Sequence, residues 1–246
     1  MSELLRHAYE FPEQTLHEQS LFKPIDSVSY PYLSKKPSDT VRLGKVIQAD
    51  QDLYVIAMVR DPRSVVTSKH WSSTSEKYFV GFSRWRETIE AVNSLRPKHR
   101  CLVVRYEDLI NDPEGVQRTL ELKLRFLKRR NSFSSFATEA RYVPQHSIAA
   151  MKGVRDFESS RIAAWQEHLP RLRSELNANP DLPQWLIETG YETDSSWVKR
   201  LANVIPSGET CKPANKGLLA RIENHARYWL KERRYLRTRR RLRRTR

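Results

Sequence analysis

The sequence predicts an α/β fold with a parallel sheet, and two apolar runs are the main evidence for it. The runs at 53–59 and 101–105 are short and continuous, which is typical of strands buried on both faces. Asp61-Pro62 follows the first run directly, and Asp112-Pro113 comes soon after the second. An Asp at the N-cap with a Pro at the first helical position indicates a helix start. Strands that alternate with helices favour the α/β class.

The predicted helices follow in order along the chain. The first begins after Asp61 and runs to about residue 70. The second covers 82–92 and places four apolar side chains on one face, namely Phe82, Trp85, Ile89 and Val92. Further helical spacing of apolar residues predicts helices over 113–127 and 161–176. Gly190 suits the position just beyond the C-terminus of a last short helix.

The bulk composition describes one substantial domain. A chain of 246 residues with 39% hydrophobic residues can bury a core. Its two cysteines, Cys101 and Cys211, give neither a disulfide framework nor a metal pattern, which favours a reducing compartment. The sequence has no apolar run long enough for a membrane span and no signal-peptide pattern at Met1. We therefore expect a cytoplasmic protein.

The positive charge is concentrated at the C-terminus. The net charge is +15, and the last 21 residues supply +10 of it, with Glu232 as their one acid. We expect an α/β domain over 1–197, a linker over 198–225 and a basic amphipathic or disordered tail over 226–246. Arginines interleaved with aromatic residues suit an anionic membrane surface, which would make the protein peripheral on the inner face of the membrane. Nucleic-acid binding by the tail is the alternative.

The segment from Val59 to His70 carries the strongest functional signal. It follows a predicted strand and opens a helix, which is where open α/β sheets bind ligands. Arg60 offers a guanidinium fork that matches a phosphate, and Ser68 can add a hydroxyl donor two helical turns later. The alternative is structural, with Arg60 paired to Glu107 or Asp108. Arg63 is expected to be a surface charge of the helix.

This segment resembles the 3′-phosphate-binding motif of sulfotransferases that use 3′-phosphoadenylyl sulfate. Arg60 and Ser68 match the two residues that hold the cofactor 3′-phosphate in that family. The segment 104–113 resembles the family's Arg-Tyr-Glu-Asp-Leu…Asp-Pro element, with a packing role. The resemblance covers roughly 33–197. It implies a P-loop-like three-layer fold, with 3′-phosphoadenylyl sulfate as co-substrate and no metal.

Two further segments resemble family landmarks in part. Lys152, Gly153 and Arg155 lie in a Lys-Gly loop that returns to the 3′-phosphate or adenosine in the family, and the alternative is a solvated basic loop. Lys35 and Lys36 precede Pro37, much like the family's Lys-x-Pro element, and the resemblance implies that they stabilise the transferring group; the alternative is a solvated pair before a turn. Family members from the cytosol carry a general-base His at that element, and this chain has none there. His70 is the remaining candidate for the base.

One family landmark is not found in residues 1–60. Members carry a Pro-x-Ser-Gly-Thr-Thr loop after their first strand, which cradles the 5′-phosphosulfate as a P-loop cradles phosphate. Here Gly44 is the only glycine of that region, and no Ser or Thr follows it at the required place. The expectation is therefore a P-loop-like fold that lacks the first strand and its phosphate loop. A mis-assigned start, a truncated gene copy and a cofactor-binding remnant would each explain this.

These observations predict a sulfotransferase. The acceptor would be a hydroxyl or amine, on a glycan or a lipid-linked glycan. Two alternatives belong to other classes: an inactive protein that only binds the nucleotide, and a nucleic-acid-binding protein that acts through residues 226–246.

Overall fold

The computed structural model describes residues 1–11, 20–22, 31–69, 78–95, 99–140, 143, 145, 147–148, 153–154, 156–208 and 218–244. In chain order, its strands are β1 (Val55–Val59) and β2 (Cys101–Arg105). Its α-helices are α1 (Ser2–Ala8), α2 (Leu43–Ala49), α3 (Pro62–Val66), α4 (Phe82–Leu95), α5 (Tyr106–Asn111), α6 (Pro113–Lys123), α7 (Phe136–Glu139), α8 (Leu169–Ala178), α9 (Leu182–Glu188) and α10 (Leu218–Arg244). Shorter 3₁₀ helices cover Pro37–Arg42, Ser159–Arg161, Ala164–His168 and Ser196–Leu201.

The two strands form a parallel pair, as the sequence predicted. Val55 lies opposite Cys101 and Val59 opposite Arg105. Residues alternate between the two faces of a strand, so each face packs on its own cluster. Ala57 and Val59 join the cluster that contains Phe82, Leu172 and other residues of α3, α4, α8 and α9. Ile56 and Val104 join the cluster formed with α1, α5, α6 and α7. Helices thus cover both faces of a small parallel sheet, and the molecule is a helix-rich α/β fold.

Three of the four predicted helix starts are observed, at Pro62, Phe82 and Pro113, although two of these helices end earlier than expected. The carboxylate of Asp61 accepts a 2.8 Å hydrogen bond from the Arg63 N–H, and Asp112 caps α6 through the Gly115 N–H at 2.8 Å. Helix α3 ends at Val66, and α6 ends at Lys123 although Leu124 is still buried. The α-helix predicted over 161–176 begins only at Leu169, with Pro170 in its first turn. A proline lacks an N–H and suits that position.

Helix α9 ends in the way that Gly190 predicted. Gly190 has a φ of 70°, which L-residues with a side chain rarely adopt. Its N–H donates to the Ile187 carbonyl at 3.0 Å, and the Tyr191 N–H donates to the Leu186 carbonyl at 2.8 Å. These two bonds are those of a Schellman motif, which satisfies the last carbonyls of the helix.

The packed domain extends beyond residue 197. Leu201 is fully buried in the core, and Val204 packs against it. The Ser207 N–H donates to the Pro170 carbonyl at 3.0 Å, and its own carbonyl accepts from the Ser174 hydroxyl at 2.7 Å. Helix α10 then begins at Leu218, inside the segment that the sequence suggested as a linker.

Helix α10 is docked on the domain through one face. Asp50, which is 1% exposed, accepts hydrogen bonds from the Tyr235 hydroxyl at 2.6 Å and from Arg239 Nε at 2.8 Å. Arg239 also contacts Asp52 at 3.1 Å. The Tyr228 ring lies 4.1 Å below the Arg42 guanidinium. Within the described part of the chain, no helix combines the length and apolar character that crossing a membrane requires.

Candidate functional site

Arg60 lies at the carboxyl end of β1, and its backbone is held in place by α4. The Trp85 indole N–H donates to the Arg60 carbonyl at 3.0 Å. The Arg60 guanidinium lies 4.2 Å from the centre of the Tyr106 ring. Its Nη2 donates to the Arg161 carbonyl at 3.2 Å. A cation over an aromatic ring and a neutral carbonyl orient this side chain without neutralising its charge.

No carboxylate neutralises Arg60 within the described residues. The structural alternative, an ion pair with Glu107 or Asp108, is not seen. Glu107 instead accepts a 3.0 Å hydrogen bond from the Asp61 N–H. The Arg60 Nε is buried and has no hydrogen-bond partner in the described part of the chain. Because an unmade hydrogen bond of a buried charged group is unfavourable, an anion beside Arg60 would stabilise it.

Ser68 is half-buried just beyond α3, and its hydroxyl is engaged locally. It donates to the Ser64 carbonyl at 2.8 Å, which is the back-bonding geometry of a helical Ser. A phosphate would have to compete with that carbonyl for the Ser68 proton. Arg60 and Ser68 therefore stand at opposite ends of the short helix α3, and no hydrogen bond joins their side chains.

The start of α3 is already occupied by a carboxylate. Asp61 accepts from the Arg63 N–H, so one of the free N–H groups that would attract a phosphate is satisfied by a side chain of the same charge sign. The helix has five residues, and its dipole is correspondingly small. Any anion site here depends on the Arg60 guanidinium more than on the helix start.

Arg63 is a buried structural residue, and its prediction as a surface charge was wrong. It is 4% exposed and pairs with Asp61 at 2.7 Å and with Glu192. Its guanidinium lies 4.3 Å from the Trp165 ring centre. Burial acts to lower the pKa of Arg63, but the hydrogen bonds and charges of Asp61 and Glu192 outweigh it and raise the pKa. Arg63 thus ties α3 to the segment that follows Gly190.

A second arginine, Arg105, reaches the same edge of the sheet. Parallel strands end side by side, and Val59 pairs with Arg105 in the register. Arg105 donates to the Thr189 carbonyl at 2.7 Å, and its guanidinium lies 4.3 Å from the Tyr191 ring centre. Burial, with the Glu107 charge, raises the pKa of Tyr191. The motif at 104–113 could have revealed Arg105, because the register brings its strand tip next to that of β1.

A cavity of about 340 Å³ opens beside these residues. Its lining includes two arginines, three carboxylates and two aromatic side chains: Arg63, Arg105, Asp61, Glu107, Asp108, Trp165 and Tyr191. The Glu107 Oε2 and the Tyr191 hydroxyl are buried and lack hydrogen-bond partners in the described structure. Neither Arg60 nor Ser68 is among the lining residues. The carboxyl end of the sheet thus gathers three unsatisfied polar atoms, with the Arg60 Nε as the third.

The other predicted site residues are only partly described. His70, Lys152 and Arg155 lie outside the described residues. Gly153 has a φ of 102°, and its N–H donates to the Ile148 carbonyl at 2.9 Å, so a turn that favours glycine is present in the Lys-Gly loop. Lys35 and Lys36 are half-buried and precede the 3₁₀ helix Pro37–Arg42.

Comparison with family models decides the family. The model of the sulfotransferase family matches residues 3–126, which is half of the chain. The chain belongs to the sulfotransferase family. The match includes the Arg60–Ser68 segment and the segment 104–113, two of the parts of the sequence that suggested this family. Comparison with curated proteins and with solved structures gives no match.

The match to the sulfotransferase family covers Arg60, Ser68 and Arg105 at the carboxyl end of the sheet. The match ends at residue 126, so the Lys-Gly loop around Gly153 and helix α10 lie beyond it. A transferase of the sulfotransferase type is therefore supported by the segment from α1 through α6.

Proposed function

We propose that this protein transfers a sulfonate group from 3′-phosphoadenylyl sulfate to a hydroxyl or amine of an acceptor. One observation carries the proposal: Arg60, at the motif position for the 3′-phosphate, keeps its charge unpaired by any described carboxylate at the carboxyl end of β1. A guanidinium fork fits a phosphate with two parallel hydrogen bonds. Tyr106 and the Arg161 carbonyl would hold the fork in orientation while it binds.

The remaining roles are assigned by resemblance. Ser68 would add a hydroxyl donor to the 3′-phosphate once its bond to Ser64 is exchanged. Lys152, Gly153 and Arg155 would close over the nucleotide. Lys35 or Lys36 would stabilise charge near the transfer point, and His70 would act as the base. Positioning and cationic stabilisation supply most of the catalysis in a transfer of this kind.

The reaction itself balances in one displacement. The acceptor oxygen or nitrogen bonds to sulfur, while the bond from sulfur to the 5′-phosphate oxygen breaks. The acceptor proton passes to the base, and 3′-phosphoadenosine 5′-phosphate leaves. Developing charge on that leaving phosphate is what a nearby lysine would stabilise.

An assay of transfer separates an enzyme from a protein that only binds the nucleotide. The purified chain is incubated with ³⁵S-labelled 3′-phosphoadenylyl sulfate and with glycan, lipid-linked glycan and small-amine acceptors. Label that moves to an acceptor, together with release of 3′-phosphoadenosine 5′-phosphate, supports the proposal. Tight nucleotide binding without transfer to any class of acceptor would support the binding-only alternative.

The outward face of α10 supports attachment to an anionic membrane surface. Tyr228 and Tyr235 share the docked face, since seven residues span nearly two helical turns. On the opposite side, Trp229 and Leu230 are 48% and 61% exposed. Arg233, Arg237 and Arg240 are exposed on that same side. An interfacial Trp beside arginines suits anionic lipid headgroups.

Sedimentation with lipid vesicles tests this attachment. Binding to vesicles that contain phosphatidylglycerol, but not to purely phosphatidylcholine vesicles, would support it. A chain that binds RNA with a steep salt dependence and ignores vesicles would favour the nucleic-acid alternative instead.

A further inference from the structure

A large apolar cavity lies at the other end of β1 from Arg60, under helix α10. Its volume is about 630 Å³, which falls within the range of about 300–1,000 Å³ typical of small-molecule sites. Aliphatic and aromatic side chains from separate parts of the chain line it, among them Leu5, Phe11, Leu33, Ile56, Leu124 and Leu127. Ile56 of β1 lines this cavity, whereas Arg60 of the proposed nucleotide site follows the opposite end of the same strand.

Two aromatic residues of the cavity lining are exposed to solvent. The rings of Tyr54 and Phe126 lie 5.1 Å apart and are 39% and 47% exposed. Both residues also line the cavity. Each ring therefore meets both the solvent and the cavity.

The lining carries three cations against two carboxylates. Arg239 forms ion pairs with both Asp50 and Asp52, so both carboxylates of the cavity lining are paired with this one arginine. Arg234 and Lys128 are exposed and form no ion pair with any residue of the described ranges. An apolar chamber with unpaired cations on its rim matches a molecule that is apolar at one end and anionic at the other.

We propose that this cavity binds a single-chain anionic amphiphile of the long-chain fatty-acid type. The hydrocarbon chain of the ligand lies against Ile56, Leu124 and Leu127, and its carboxylate binds Arg234 of α10. Burial of an apolar chain supplies the driving force, and the guanidinium fixes the direction of entry. This inference does not rest on sulfonate transfer, because it uses no residue of the nucleotide site.

Fluorescence titration of the full chain with cis-parinaric acid tests the cavity. We expect saturable binding that palmitate displaces. Thr238→Trp places an indole in the cavity from α10 and should weaken binding at least tenfold. Arg237→Trp adds the same indole on the exposed side of the helix and removes a positive charge, yet it should change binding less than twofold. No saturable binding by the folded chain, or equal losses in both variants, would overturn the proposal.

The contact with the anionic head is tested separately, with a variant that leaves the apolar lining of the cavity unchanged. Cis-parinaric acid is itself a carboxylate, so its Kd is measured in each variant and used to convert displacement into the Kd of each competitor. Arg234→Gln should then raise the Kd of palmitate at least fivefold and leave the Kd of hexadecanol, which has no charge, as it was. Equal losses for the two competitors would show that Arg234 does not contact a carboxylate. Displacement by phosphatidylglycerol vesicles but not by palmitate would assign the cavity to a membrane phospholipid and would overturn the proposal.

Discussion

The hydroxyl of Tyr235 donates a 2.6 Å hydrogen bond to the carboxylate of Asp50, which is 1% exposed. The two residues are 185 positions apart in the sequence. Arg239, one turn further along α10, binds the same carboxylate at 2.8 Å and is itself 13% exposed. These contacts of Tyr235 and Arg239 with Asp50 attach the strongly basic helix α10 to the folded domain.

Removal of Arg239 should destabilise the protein. In Arg239→Ala the buried Asp50 loses its counter-ion, and breaking a buried pair in this way typically costs about 3 kcal/mol. The free energy of unfolding from urea titration, followed by circular dichroism, measures the loss. Arg241→Ala removes an exposed arginine of the same helix and should change stability by less than about 0.5 kcal/mol. A similar small change for both variants would mean that α10 is not held by Asp50.

The same contact should respond to acid. Burial favours the neutral form of Asp50, but the hydrogen bonds from Arg239 and Tyr235 outweigh it and hold the pKa of this carboxyl below its ordinary 3.8. A depressed pKa contributes stability above the unfolded value, and that stability is lost as the pH falls through the folded value. The stability difference between the wild type and Asp50→Asn should therefore be constant at neutral and mildly acidic pH and shrink below about pH 4.

Urea titrations of the two proteins between pH 7 and pH 3 give that difference directly. A difference that shrinks already near pH 6 would contradict the depressed pKa of Asp50.

Arg63→Ala should be among the most destabilising substitutions in the chain. It leaves the Asp61 and Glu192 carboxylates without their partner and opens space beside Trp165, so we expect a loss of about 3 kcal/mol or more. Urea unfolding of Arg84→Ala is the control, because Arg84 forms an exposed pair with Glu87 that contributes at most about 1 kcal/mol. Equal effects of the two variants would contradict the buried role of Arg63.

Gly190→Ala should destabilise the protein by about 1–2 kcal/mol, because the φ of 70° at this position is unfavourable for an L-residue with a side chain. Gly44→Ala is the matched substitution. Gly44 lies within α2, and a Cβ there would have no atom within 4 Å. That variant should stabilise the protein by about 0.5–1 kcal/mol. Thermal unfolding of the pair checks both signs, and destabilisation by both would contradict the assigned conformations.

The local elements of the fold were predictable because local chemistry determines them. The apolar run that ends at Val59 and the one that begins at Cys101 are strands, and Asp61 and Asp112 cap helices as expected. Gly190 ends α9 because glycine readily adopts the positive φ that this helix end requires. In each case the deciding interaction lies within a few residues of the chain.

Two of the contacts that the sequence did not reveal are long-range ones. Arg63 looked like a helix surface residue, and only Glu192, far along the chain, makes it part of the core. The ion pair between Asp50 and Arg239 could not be predicted, because the pattern of charges in the C-terminal segment does not indicate which acidic residue an arginine contacts. For the site, the motif indicated Arg60 correctly as a strand-end residue, while the local bond from Ser68 to the Ser64 carbonyl was not readable from the pattern.

Calorimetric titration with 3′-phosphoadenosine 5′-phosphate, beside 5′-AMP, tests the central claim most directly. The wild type should bind the 3′-phosphorylated nucleotide much more tightly than 5′-AMP. Arg60→Ala should lose about 2 kcal/mol of binding free energy for the former, roughly a 30-fold weaker Kd, and almost nothing for 5′-AMP. Arg60→Lys keeps the charge but not the guanidinium fork, so its Kd for the 3′-phosphorylated nucleotide should lie between those of the wild type and Arg60→Ala. Equal losses for both nucleotides, or no preference for the 3′-phosphate in a folded wild type, would contradict the assignment of Arg60.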